Sequence, residues 1–158
     1  MAMKRAVVRE HDEGERRWFF GGGLQTWLAT EADTDGEFLI FEDYLEGGKT
    51  TPLHHHPHTD ETFIMLDGEI KLRINDDDRK LGTGGIAVIP RGVAHAFIVT
   101  SPTARMLCLH TPGNSEAFFK GASEPTTQDG PSGPLDFARV GRSAYETGAI
   151  EILGPPPF

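Results

Sequence analysis

Apolar and polar residues fall into short runs along the chain. Phe38 to Tyr44 (FLIFEDY), Thr62 to Leu66 (TFIML) and Glu69 to Ile74 (EIKLRI) are bounded by Gly, Asp or Pro. Their β-branched and aromatic content predicts strands. Ile86 to Ile89, Ala96 to Thr100 and Met106 to Thr111 predict three more. Asp67-Gly68 predicts a two-residue hairpin turn, because Gly accepts positive φ, and Asn75 to Asp78 predicts the next reversal. Strands at this spacing, with no long helix between them, favour an antiparallel barrel or sandwich over a parallel α/β sheet. The pattern changes after Pro112. Ser115 to Lys120 predicts one or two helical turns, and the Gly/Pro-rich stretch from Ala122 to Pro134 an exposed loop. Phe137, Val140, Ala144 and Tyr145 then recur at helical spacing, with Asp136 placed to cap the start and Gly148 the end. The apolar, proline-rich tail Ile150 to Phe158 predicts an extended segment lying against the domain.

Composition sharpens this all-β reading. A chain of 158 residues with 37% hydrophobic content can bury one sizeable core, so a single domain is expected. Its parts are an N-terminal strand segment (1–36), a barrel core (37–113) and a C-terminal helix with its tail (114–158). The formal net charge of -9 disfavours nucleic acid and anionic membrane as partners, since both require a basic face. Cys108 is the single cysteine, which excludes an intramolecular disulfide and a thiolate cluster. The first twelve residues lack the apolar core of a secretory signal, and no stretch approaches a membrane span. A cytoplasmic location is expected.

Four of the seven histidines lie in the run Leu53 to Asp60, and Glu61 follows directly. Residues two apart share one face of a strand, so His54 and His56 point together while His55 points away. Glu61, returned by a short turn through Pro57 to Asp60, can close a third position on the same ion, and His95 is a fourth candidate. A histidine-rich expression remnant would sit at a terminus and would not be followed by a correctly spaced glutamate. His55 and His58 occupy no ligand position and are read as facing solvent or as lying behind the ligands, and His11 and His110 as structural. The acidic run Asp76 to Asp78 lacks the spacing of a calcium loop and is read as a solvated hairpin tip.

These residues resemble the cupin superfamily. Gly48, His54, His56, Glu61 and Gly68 reproduce its first motif at every position, and Gly84, Pro90, Gly92 and His95 its second, with Val99 where that motif has Asn. The resemblance implies an antiparallel double-stranded β-helix, the jelly-roll barrel, holding one divalent transition metal (Fe, Mn, Ni, Co or Zn) through His54, His56, Glu61 and His95. The segments Trp18 to Thr30, His110 to Phe119 and Glu151 to Pro156 look like those of small single-domain bacterial cupins grouped as quercetin 2,3-dioxygenase-like.

Alternation from the ligands places Phe63 and Met65 on the face of Glu61, and Phe97 and Val99 on that of His95. These four are the expected substrate-binding residues, in an apolar pocket suited to an aromatic small molecule. Glu61 is the expected catalytic residue, accepting the proton of a hydroxylated substrate. The expected activity is a quercetinase-like dioxygenase using O2. A non-oxidative isomerase or cyclase, or a non-catalytic binding module, remains the alternative. A homodimer is expected, with the aromatics Trp18 to Phe20 on a strand near the N-terminus that can cross to a partner.

Overall fold

The structure, a computed structural model, describes residues 5–158. After a 3-10 turn at His11–Glu13 come β1 (Glu15–Phe19), β2 (Leu24–Ala29) and the short helix α1 (Glu31–Thr34). The barrel strands are β3 (Leu39–Glu46), β4 (Leu53–His55), β5 (Asp60–Asp67), β6 (Glu69–Ile74), β7 (Asp77–Gly82), β8 (Ile86–Ile89), β9 (His95–Val99) and β10 (Thr103–Thr111). Helix α2 (Glu116–Gly121), β11 (Ser123–Pro125), α3 (Phe137–Thr147) and β12 (Glu151–Gly154) complete the chain. A seven-stranded sheet in the order β11-β1-β2-β3-β10-β5-β8 faces a five-stranded sheet in the order β12-β4-β9-β6-β7. Every pairing between strands is antiparallel. This is the expected jelly roll with a C-terminal helix.

Cross-strand register stacks the inner face of the large sheet in rungs. Leu39, His110, Glu61 and Ile89 form one rung, and Trp27, Phe41, Cys108, Phe63 and Ala87 the next. Gln25, Asp43, Met106 and Met65 form a third. Opposite, on the small sheet, His54 pairs with His95, and His95 with Ile74. The core fills the space between the sheets, with Trp27, Phe41, Leu39 and Met106 among the most deeply buried side chains. Each fully buried side chain of this size contributes about 1.5–3 kcal/mol.

The structure departs from the sequence reading at three places. Asp67-Gly68 is not a hairpin turn, because β5 belongs to the large sheet and β6 to the small one. It is the corner at which the chain changes sheets. Gly68 has φ +84°, and a Cβ there would stand 2.4 Å from the carbonyl oxygen of Thr103. The reversal at Asn75 is a tight turn, and Asp77 and Asp78 already belong to β7. That strand carries no apolar pattern, since it is an edge strand held by its backbone ladder to β6. The loop expected from Ala122 begins with β11, which covers the edge of β1. The N-terminal strand segment holds β1 and β2, which pair into the large sheet. There Trp18 Nε1 donates to Pro134 O, and Phe19 packs edge-to-face on Phe118 and Phe119.

The C-terminal helix follows expectation. Asp136 accepts from Arg139 N, and Gly148 ends the helix in the left-handed region at φ +66°. The extended tail forms β12 on β4, with Ile152 opposite His54 and Glu151 opposite His55.

Candidate metal centre

The four expected ligands converge between the two sheets. One ligand atom from each of His54, His56, Glu61 and His95 lies within 4.8 Å of the others, and all four residues are buried. His54 comes from β4 and His56 from the residue just past it. Glu61 is the second residue of β5, and His95 the first of β9. The turn before His95 is tied to the histidine strand, because Gly92 N donates to His56 O at 2.9 Å. Gly92 holds φ +81°, a conformation that side chains with a Cβ adopt rarely.

Local hydrogen bonds aim the imidazoles. His54 Nδ1 donates to Pro52 O at 2.8 Å and His95 Nδ1 to Val93 O at 2.9 Å, each two residues away. Fixing the proton on Nδ1 leaves the Nε2 lone pair of His54 free for a metal, and His95 Nε2, which donates to Glu61 Oε2 at 2.9 Å, has to release its proton to bind one. His56 Nε2 lies 3.0 Å from Glu61 Oε2, but without hydrogen-bond alignment, and both its ring nitrogens are buried without a hydrogen-bond partner. A buried imidazole Nε2 beside a carboxylate and without a hydrogen bond fits the donor chemistry of a metal site. Three imidazoles and one carboxylate suit a divalent transition ion.

Electrostatics agree with this donor set. Burial acts to raise the Glu61 carboxyl, but His56, then His110 and His95, outweigh it and hold it well below the usual carboxylate range. Burial pushes His54 down to about 3, with His95 and His56 adding to the effect, and also lowers His56. Burial would lower His95 as well, but its 2.9 Å hydrogen bond to Glu61 Oε2 outweighs this and raises it. An ionised Glu61 beside neutral His54 and His56 is the protonation state that metal binding requires, and His95 joins it by losing the proton it shares with Glu61.

The other histidines separate. His55 turns away from the cluster and meets Glu151 Oε2 at 3.0 Å, and His58 is exposed. His11, exposed, pairs with Glu42 at 2.7 Å. His110 is more than the structural residue expected. It is fully buried on the rung of Glu61, and its Nε2 lies 3.0 Å from Glu61 Oε1. Alternation inward along β10 through Ala104, Met106 and Cys108 was the signal that reaches it.

A cavity of about 360 Å³ opens beside the cluster, walled mainly by apolar side chains. Phe63 and Phe97 line it, as do Phe118 and Phe119. Met65 and Val99 do not, being buried in the core at 1% and 3% exposure. They share the faces expected of them, but lie in parts of the interior that other side chains fill. Gln25, Asp43 and Lys49 also line the cavity, and no motif marked them. Burial pushes the Asp43 carboxyl up to about 8 against the opposing pull of Lys49, and pushes the Lys49 ammonium down to about 8.

The chain is similar to known proteins. The chain is 27% identical to quercetin 2,3-dioxygenase of Bacillus subtilis (strain 168) over 118 residues, covering 75% of this chain and 35% of that protein. It is 37% identical over 75 residues to the HTH-type transcriptional regulator PuuR of Escherichia coli (strain K12), covering 47% of this chain and 40% of the regulator. The chain thus spans well under half the length of these two relatives. A predicted oxalate decarboxylase from Thermotoga maritima superposes with a TM-score of 0.61 at 20% identity, covering 67% of this chain and 99% of that one. Residues 40–111, which carry all four candidate ligands, match the cupin domain model. With its two-sheet barrel and His54, His56, Glu61 and His95 gathered inside it, the chain carries a cupin domain over residues 40–111.

Proposed function

We propose that the chain is a metal-dependent, quercetinase-like dioxygenase acting on a hydroxylated aromatic, flavonol or polyketide-like small molecule. The observation that carries this reading is a buried three-histidine, one-glutamate cluster beside a largely apolar cavity of about 360 Å³. Its likeness to the Bacillus subtilis quercetin dioxygenase supports it. A bound Fe, Mn, Ni, Co or Zn ion supplies Lewis acidity toward a substrate hydroxyl and, where redox-active, a path for electrons to O2. The chain's own residues do the rest. His54 and His95 are pre-aimed, His110 holds Oε1 of Glu61 while Oε2 faces His56 and His95, and the Glu61 carboxylate accepts the proton of the substrate hydroxyl. Phe63, Phe97, Phe118 and Phe119 pack against an aromatic substrate and exclude water.

The test is metal analysis of protein purified without added metal, followed by O2 uptake with a panel of flavonols and other enolisable phenols. Uptake matched to product is expected. Turnover that survives removal of O2 would sink the oxidative reading and select a non-oxidative isomerase or cyclase. The likeness to a transcriptional regulator favours a second reading, a non-catalytic small-molecule-binding cupin. Tight binding without product, whatever the metal or gas, selects that one. The proposal includes a homodimer, for which light scattering at micromolar concentration is the check, and a clean monomer overturns it.

A further inference from the structure

The metal end of the cavity occupies one rung of the large sheet, and a second polar rung lies two steps away. Gln25 on β2 and Asp43 on β3 stand directly opposite each other, and both line the cavity. Leu39, the β3 partner of His110, is four residues from Asp43. At about 3.3 Å per residue, the polar rung lies roughly 13 Å along the strands from the rung of Glu61. Phe41, Cys108 and Phe63 make an apolar rung between them and line the same cavity.

Each polar side chain is more than nine-tenths buried and keeps an unpaired atom. Gln25 is 1% exposed. Its Oε1 accepts from Trp27 Nε1 at 3.1 Å, and its Nε2 has no partner. The indole N–H only donates, so it fixes the amide with its carbonyl toward Trp27 and its NH2 turned away. Asp43 is 7% exposed, and its Oδ1 has no hydrogen-bond partner. Gly23 makes room for that oxygen, since a Cβ there would come within 2.3 Å of it. Lys49, half-buried after β3, donates to Thr50 O at 2.9 Å and stands 5.7 Å from the centre of the Phe97 ring. An unpaired donor and an unpaired acceptor, side by side in a cavity wall, cost stability unless a ligand or water answers both.

We propose that Gln25 and Asp43, with Lys49 on the same wall, form a second polar anchor that binds a hydroxyl group at the far end of the substrate. Gln25 Nε2 donates to the hydroxyl oxygen, and Asp43 Oδ1 accepts the hydroxyl hydrogen. This rests on the reading of the cavity as the substrate site and narrows the class. The substrate is elongated, largely aromatic, and carries a metal-binding oxygen at one end and a hydroxyl at the other.

The probes are 3-hydroxyflavone and 3,4′-dihydroxyflavone, which share one chelating oxygen pair and differ by a single remote hydroxyl. Each is titrated into the protein as purified with its metal, with binding read by calorimetry. The dihydroxy probe is expected to bind at least about tenfold tighter, the size of one good hydrogen bond to a buried group. Asp43→Leu and Gln25→Met should each reduce that preference to roughly threefold or less without weakening 3-hydroxyflavone. Asp43→Leu should also leave the thermal midpoint unchanged or raised, whereas a purely structural Asp43 would lower it. Gln25→Met carries the test independently if Asp43→Leu fails to fold. Equal binding of the two probes by the unmodified protein means that water alone answers these groups, and overturns the inference while the cavity reading stands. A preference that persists in both variants overturns it as well. Binding of neither probe overturns the cavity reading and this inference together.

Discussion

Glu61 meets three imidazoles, with His56 and His95 on Oε2 and His110 on Oε1. His54→Ala, His56→Ala or His95→Ala should each strip the metal, measured by elemental analysis, because each removes one aimed nitrogen. Glu61→Gln keeps an oxygen that can approach the ion but cannot take a proton in the same way, so metal should be partly retained while turnover falls disproportionately. His55→Ala should leave occupancy unchanged, since its partner is Glu151 at the surface. Loss of metal from His55→Ala but not from His54→Ala would contradict the register. Away from the site, the hydrogen bond from Arg9 and then the N–H of Thr30 hold Asp33 below the usual carboxylate range, against a small opposing effect of burial. A folded-state value below the unfolded one means that Asp33 stabilises at neutral pH and loses that contribution as pH falls through the folded value. Asp33→Asn should therefore cost about 1 kcal/mol at pH 7 in urea unfolding, with the gap closing as the pH falls through the lowered folded-state value.

Elements matter here through where they change partners. β5 and β6 are adjacent in sequence, yet they pair into different sheets, and the chain passes from the sheet of Glu61 to the sheet of His95 at the corner of Gly68. Gly68→Ala would force a side chain into φ +84° and against the backbone of Thr103. It should cost about 2 kcal/mol or more in denaturant midpoint analysis. Metal affinity should fall with it, whereas an ordinary hairpin turn would tolerate the change with less effect on the site. The tail strand β12 acts similarly on β4, because Ile152 pairs opposite His54 and also lines the cavity.

At the scale of the whole molecule, the candidate metal centre spans the seam between the two sheets. Glu61 belongs to the large sheet, and His54 and His95 to the small one. An ion bound across that seam stabilises only the folded state, by about 2.7 kcal/mol at a hundredfold excess over Kd. For a domain of this length that corresponds to roughly 5–10 °C in thermal midpoint. Chelation should lower the midpoint of the metal-loaded protein by this amount and leave that of His95→Ala unmoved. No helix among the described residues is long and apolar enough to cross a membrane.

The sequence by itself determined the elements whose cause is local. Alternation marked β3, β5, β6, β8, β9 and β10, and Asp136 and Gly148 bounded α3. The ligand set was equally legible, because His54 and His56 share a strand face whatever the strand pairs with, and glycine spacing fixes where Glu61 and His95 return. Only the tertiary structure decided what depends on partners distant in sequence. β7 has no apolar period and exists through its ladder to β6, and the corner at Gly68 looks in sequence like any Asp-Gly turn. His110 became a partner of Glu61 through register between strands 49 residues apart, as Gln25 and Asp43 became neighbours in the cavity wall through the pairing of β2 with β3. A side chain's face follows from its own strand, but what it meets there is set by the strands packed against it.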